Sequence, residues 1–127
     1  MTWPAGHRSR VVQVCIDTPR ATHDREVEFW RAVTGWRWVP GDSPEFTGKL
    51  YPAPGSPVQL LLHRLGEDDG GTTVRAHLDL GTDDLELEAA RMEGLGATRL
   101  WDGDGWVTLR DPAGLLFCAT HNSPDAP

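Results

Sequence analysis

Cysteine is scarce in this chain, with only Cys15 and Cys118 among 127 residues. Two thiols make no disulfide framework, so a reducing, cytoplasmic setting is expected. Cationic runs are missing as well. Net charge is −7, and no cluster of Lys or Arg offers the footprint that a nucleic acid needs. No apolar stretch approaches the roughly 20 residues that cross a bilayer. The opening MTWPAGHRSR lacks the apolar h-region of a secretory signal. Nucleic acid and membrane are therefore not expected partners. Apolar content of 39% and charged content of 24% suit an ordinary globular domain. A chain of this length is one domain, or two small modules sharing a core.

What is present is a repeat. Val74 to Gly96, VRAHLDLGTDDLELEAARMEGLG, reads as a buried strand, a turn and an amphipathic helix. An imperfect copy, VVQVCIDTPRATHDREVEFWRAVTG, runs from Val11 to Gly35. Each copy is followed by a short strand with Arg and Trp (Trp36–Val39, Arg99–Trp101), then by a turn and a last apolar strand (Val58–Arg64, Leu115–Thr120). Strands are also expected at Phe46–Tyr51 and Trp106–Arg110. One supersecondary unit, βαβββ, is thus used twice. The modules are expected at about 10–65 and 73–121, with the polar Gly66–Gly71 as linker. Residues 1–9 and the HNSPDAP tail are expected to be loosely held.

Alternation sets the strand faces. Val12, Val14 and Ile16 point one way, and Gln13, Cys15 and Asp17 the other. Likewise Val74, Ala76, Leu78 and Leu80 oppose Arg75, His77 and Asp79. In the first helix Thr22 is the expected N-cap, Val27, Trp30 and Val33 the apolar stripe, and Gly35 the stop. In the second, Asp83 and Glu86 have capping-box spacing, and Leu85, Ala89 and Met92 form the stripe. A helix covers one face of each sheet. The other face is then expected to carry Gln13, His63, His77 and Cys118. Six tryptophans invite a mixed role, some in the core and some, Trp106 among them, lining a pocket.

The paired modules, the FW…GW of the first helix, the HLDL…DD…A…GA of the second module and the DPAGLLFC near the end resemble the vicinal oxygen chelate superfamily. That superfamily holds glyoxalases, bleomycin-resistance proteins and extradiol dioxygenases, and the similarity is greatest to its glyoxalase-like branch. The resemblance implies an α+β fold in which two βαβββ modules form a half-open barrel around a central cleft. It also implies a homodimer. Metal-using members take four ligands from the first and last strands of each module. By position these fall on Gln13, His63, His77 and Cys118. The last-strand glutamates are missing: His63 and Cys118 stand in their places. Imidazole and thiolate suit Zn²⁺ or another late divalent metal better than Mg²⁺, and one ion of Zn, Ni, Mn or Fe is the metal expected if any is held.

The expectation is a glyoxalase-like small-molecule-binding protein without the usual metal set and with no cofactor. Its cleft would be lined by Gln13, Cys15, His63, Arg75, His77, Asp79, Trp106 and Cys118. Two alternatives stay open. One is a lyase, isomerase or dioxygenase that uses one divalent metal. The other is a bleomycin-resistance-like protein that sequesters a drug and does no chemistry.

Overall fold

A computed structural model describes residues 4–66 and 75–125. The expected linker beyond Gly66, and Thr73 and Val74 of the expected fifth strand, lie outside the described residues. The fold is α+β. Its residues group into two compact units, an early one of 13–66 with 75–76 and a late one of 4–12 with 77–125.

In the early unit, β1 (Ser9–Thr18, which begins in the late unit) leads through a single turn (Arg20–Thr22) to α1 (His23–Thr34). Then follow β2 (Arg37–Pro40), β3 (Phe46–Tyr51) and β4 (Gln59–Arg64). The strand order is β2-β3-β4-β1. The first and last strands of the module pair in parallel, Gln13 opposite Gln59 and Asp17 opposite His63. The two outer pairings are antiparallel. Pro19 lacks the donor that would continue β1. Gly35, at φ 65°, closes α1 by sending its N–H to the Arg31 carbonyl.

α1 covers one sheet face. Ile16, Val27, Leu50 and Leu62 are buried there, with Trp30, Trp36, Trp38 and Leu60 against them. Each fully buried leucine contributes about 1.5–3 kcal/mol. The expected stripe needs one correction. His23 and Val27 are buried and Trp30 is half-buried, but Val33 is 58% exposed. Positions 23, 27 and 30 are spaced i, i+4, i+7 and share a face; position 33 has rotated about 120° from 27. Thr22 makes no side-chain cap; its hydroxyl bonds the Pro19 carbonyl.

The late unit repeats the plan with β5 (Arg75–Thr82, whose first two residues group with the early unit), α2 (Leu85–Gly94), β6 (Thr98–Asp102), β7 (Trp106–Arg110) and β8 (Leu116–Thr120). The strand order is β5-β8-β7-β6. Again first and last strands pair in parallel, with Asp79 opposite Cys118. Ala89, Met92, Val107, Leu109 and Ala119 form the core, and Leu85 packs on it as its i, i+4, i+7 spacing predicts.

The cap of α2 is shifted by one residue from the expectation. Asp84, not Asp83, accepts the Leu87 N–H. Asp83 is taken by the chain start: it accepts the Arg8 N–H on both oxygens and meets His7 Nδ1 at 2.9 Å. The segment from His7 onward is therefore tied down, contrary to expectation. His7 is buried, its Nε2 is 3.5 Å from Glu88, and Arg8 and Arg10 reach Asp125 and the Pro124 carbonyl. The tail is correspondingly ordered through Asp125.

Candidate functional site

Strand parity places the chemistry. In the late unit Leu80, Val107, Leu109 and Ala119 turn toward α2. Their neighbours His77, Asp79, Thr108 and Cys118 therefore lie on the helix-free face. His77 Nε2 is 3.3 Å from Asp79 Oδ1. A ligand atom from each of His77, Asp79 and Cys118 lies within 4.8 Å of the others. Thr108, opposite Cys118 on β7, brings its hydroxyl to 3.4 Å from the thiol sulfur. Asp79 is 4% exposed and His77 and Cys118 are half-buried, so the group is only partly open to solvent. The sequence brought forward His77, Asp79 and Cys118; it did not bring forward Thr108. Its signal was available, since Thr108 is the one polar residue in the buried Val107–Leu109 run.

The early unit carries the matching set on its own helix-free face. Gln13, Cys15 and Asp17 of β1 stand beside Gln59, Leu61 and His63 of β4. Gln13 is buried, and its side-chain oxygen accepts from Gln59 Nε2 at 2.7 Å. Asp17, also buried, meets His63 Nδ1 at 2.7 Å, and Phe46 stacks on the imidazole with centroids 4.7 Å apart and planes at 16°. Cys15 is buried, its sulfur 3.7 Å from the Asp17 carboxylate. The sequence signal for Asp17 was its parity with Gln13; its pairing with His63 depends on a strand register that one chain segment alone does not reveal.

The other two expected site residues are exposed. Arg75 is exposed at the start of β5. Trp106 is 39% exposed and lies over Gly103, where an added Cβ would fall 1.9 Å from the indole.

On the opposite face of the early sheet His23 is fully enclosed. Its Nδ1 meets the Thr18 hydroxyl and its Nε2 the Thr47 hydroxyl at 2.7 Å. Burial lowers its pKa, and the charges of Arg64 and His63 act in the same direction, over the opposing pull of Asp24 and Glu26. His23 is therefore a neutral structural bridge between β1, α1 and β3.

The four-ligand set fits this chain poorly as a metal cage. Two of its positions lack the expected carboxylate, and the Gln13 oxygen spends one of its two lone pairs on a hydrogen bond from Gln59. The group His77, Asp79 and Cys118 is a better donor set, with imidazole nitrogen, carboxylate oxygen and sulfur suited to a late divalent ion.

Comparison with known proteins places these observations. A family model described as a glyoxalase-like domain matches residues 13–120. The fold is similar to a methylmalonyl-CoA epimerase solved with methylmalonyl-CoA and NH4+ (22% identity, 94% of this chain, 99% of that one, TM-score 0.64). It is also similar to the methylmalonyl-CoA epimerase of Mycobacterium tuberculosis (19% identity, 91% and 89% covered, TM-score 0.65). A point variant of the Streptomyces coelicolor enzyme, in complex with 2-nitronate-propionyl-CoA, matches at 22% identity over 93% and 99% with a TM-score of 0.63. At these identities the likeness is one of fold. No curated protein sequence is similar enough to count as a relative.

Proposed function

We propose, for a chain that belongs to the glyoxalase-like domain family, that it binds a small organic molecule at His77, Asp79 and Cys118 and does so without the family's four-ligand metal set. The observation that carries the reading is the gathering of His77, Asp79 and Cys118, with a ligand atom of each within 4.8 Å of the others; the hydrogen bond from Gln59 to the Gln13 oxygen, at the position that would supply the first ligand, takes up one of that oxygen's two lone pairs. The substitution of His63 and Cys118 for the two customary glutamates supports it. Asp79 accepts hydrogen bonds from a ligand, and His77 donates or accepts according to its tautomer. Asp79 Oδ1 lies 3.3 Å from that imidazole, so the two groups stand close enough to serve one bound molecule as proton acceptor and donor. The same reading makes the protein a cytoplasmic homodimer, consistent with its two free thiols; sedimentation equilibrium tests the dimer.

One observation favours a second reading, a lyase or isomerase that uses a divalent metal. His77, Asp79 and Cys118 would hold the ion, and bound there it would polarise oxygens of the substrate. Elemental analysis separates the two. Protein purified without a nickel column is measured as wild type and as His77→Ala. About one metal per chain, lost in the variant, overturns the metal-free reading. No metal after dialysis against Zn²⁺, Ni²⁺, Mn²⁺ and Fe²⁺ removes the metalloenzyme. Tryptophan fluorescence titrations with a ligand panel then follow.

A further inference from the structure

Parity on the early sheet brings two cations and a phenol together. Arg37 of β2 pairs with Tyr51 of β3, and Val39 pairs with Lys49. Lys49 in turn pairs with Leu61 of β4, which pairs with Cys15 of β1. Leu50, Leu60 and Leu62 face α1, so Arg37, Lys49 and Tyr51 lie on the helix-free face. A register shift between Phe46 and Gly48 puts Phe46 on that face too, against His63. The Arg37 guanidinium carbon is 5.3 Å from the centre of the Tyr51 ring, and the Lys49 nitrogen is 5.5 Å from it.

Acids outnumber bases 19 to 12, and Arg8, Arg31, Arg91 and Arg99 are each paired with carboxylates. Arg37 and Lys49 have no carboxylate within ion-pair distance among the described residues, and the Tyr51 hydroxyl has no hydrogen-bond partner among them. The phenol ring attracts each cation but cancels neither charge. Two like charges gathered on one ring repel, and an anion bound beside them relieves the repulsion. The donors suit an oxyanion: a planar guanidinium fork, a compact ammonium and a phenolic O–H.

We propose that Arg37, Lys49 and Tyr51 form an anion subsite, which takes the carboxylate or phosphate group of a small-molecule ligand. The subsite lies wholly within the early unit. It stands whether or not His77, Asp79 and Cys118 bind as proposed above, and its test uses neither metal nor those residues.

Lys49 is the only lysine in the chain, which makes the test selective. Reductive methylation with ¹³C-formaldehyde labels Lys49 and the terminal amine alone, and dimethyl-lysine keeps its charge. Inorganic phosphate and acetate are titrated in separate series, each at constant ionic strength against chloride. The Lys49 signal should shift and saturate, with a dissociation constant on the order of millimolar for one charged group on an open site. The terminal-amine signal should not saturate. Arg37→Gln should weaken binding about tenfold, and Tyr51→Phe about threefold, scaled to loss of a charge-assisted and a neutral hydrogen bond. Saturation by phosphate alone or by acetate alone names the oxyanion and supports the subsite. A shift that stays linear in both series, or is the same in Arg37→Gln, overturns it. Unlabelled Lys49→Gln, followed by amide NMR, guards against an effect of the methyl groups: retained saturable binding at Arg37 and Tyr51 also overturns the role given to Lys49.

Discussion

Glu88 offers the sharpest test of how the late unit is held together. It sits on α2 with no exposed surface, and a buried carboxylate is tolerated only when its charge is met. Arg91 meets it at 2.5 Å one turn later, and His7 Nε2 at 3.5 Å from the chain start. Burial pushes the carboxyl pKa up, yet the hydrogen bonds of Arg91 and Ser9, with the charges of Arg91 and His7, outweigh it and leave the group below its ordinary value. Glu88→Gln keeps the shape and removes the charge. Breaking a buried pair from one side costs about 3–5 kcal/mol. Arg91 is 17% exposed and can recover some hydration, which reduces the expected loss to about 2–3 kcal/mol. For a chain of this size that lowers Tm by about 10 °C at pH 7. Thermal unfolding followed by circular dichroism reads it directly. Because the folded pKa is depressed, this stabilisation is fully present above the ordinary value near 4.5 and is lost as pH falls through the folded value. The gap between wild type and variant should therefore hold from pH 7 to about pH 5 and narrow below it. A Tm within about 2 °C of wild type at pH 7 would refute the argument.

His23 predicts the opposite residue type with the same sense of pH. Its lowered pKa means that the folded state resists protonation, so stability falls as pH drops below the unfolded value of about 6.5; His23→Gln should flatten denaturation midpoints between pH 6.5 and 5, and a wild-type profile already flat there would contradict the assignment of a neutral imidazole. Asp84→Ala removes the side-chain cap of α2 and should cost about 1 kcal/mol in urea unfolding, whereas Asp83→Ala should leave the helix cap intact and instead loosen residues 7–10, seen as faster amide exchange at Arg8.

Much of this fold was legible because periodicity survives in single segments. β3 and β7 run over the residues expected for them, and α2 buries Ala89 and Met92 and packs Leu85 against them as spaced. What failed did so for lack of partners. Asp83 looked like a cap until Arg8, 75 positions earlier, took its carboxylate. Val33 looked like core because an i, i+3, i+6 reading lets the stripe drift off its face. For the candidate site, parity alone was enough to set His77 beside Asp79. The hydrogen bond between Gln13 and Gln59 and the gathering of Arg37 and Lys49 on Tyr51 needed strand register, which no single strand encodes.

The late unit also has an unusual history during synthesis. Residues 7–10 leave the ribosome before the carboxylates that hold them, since Asp83 follows Arg8 by 75 positions and Asp125 by 117. The early unit, built almost wholly from one continuous stretch, can close as it emerges. Residues 7–10 must wait, with the imidazole of His7 in water, until α2 has been made. Long-range closure of this kind is slow. A ribosome stalled before Asp83 therefore leaves a strand whose first half has nothing to bind, an exposed edge for a chaperone or for another nascent chain.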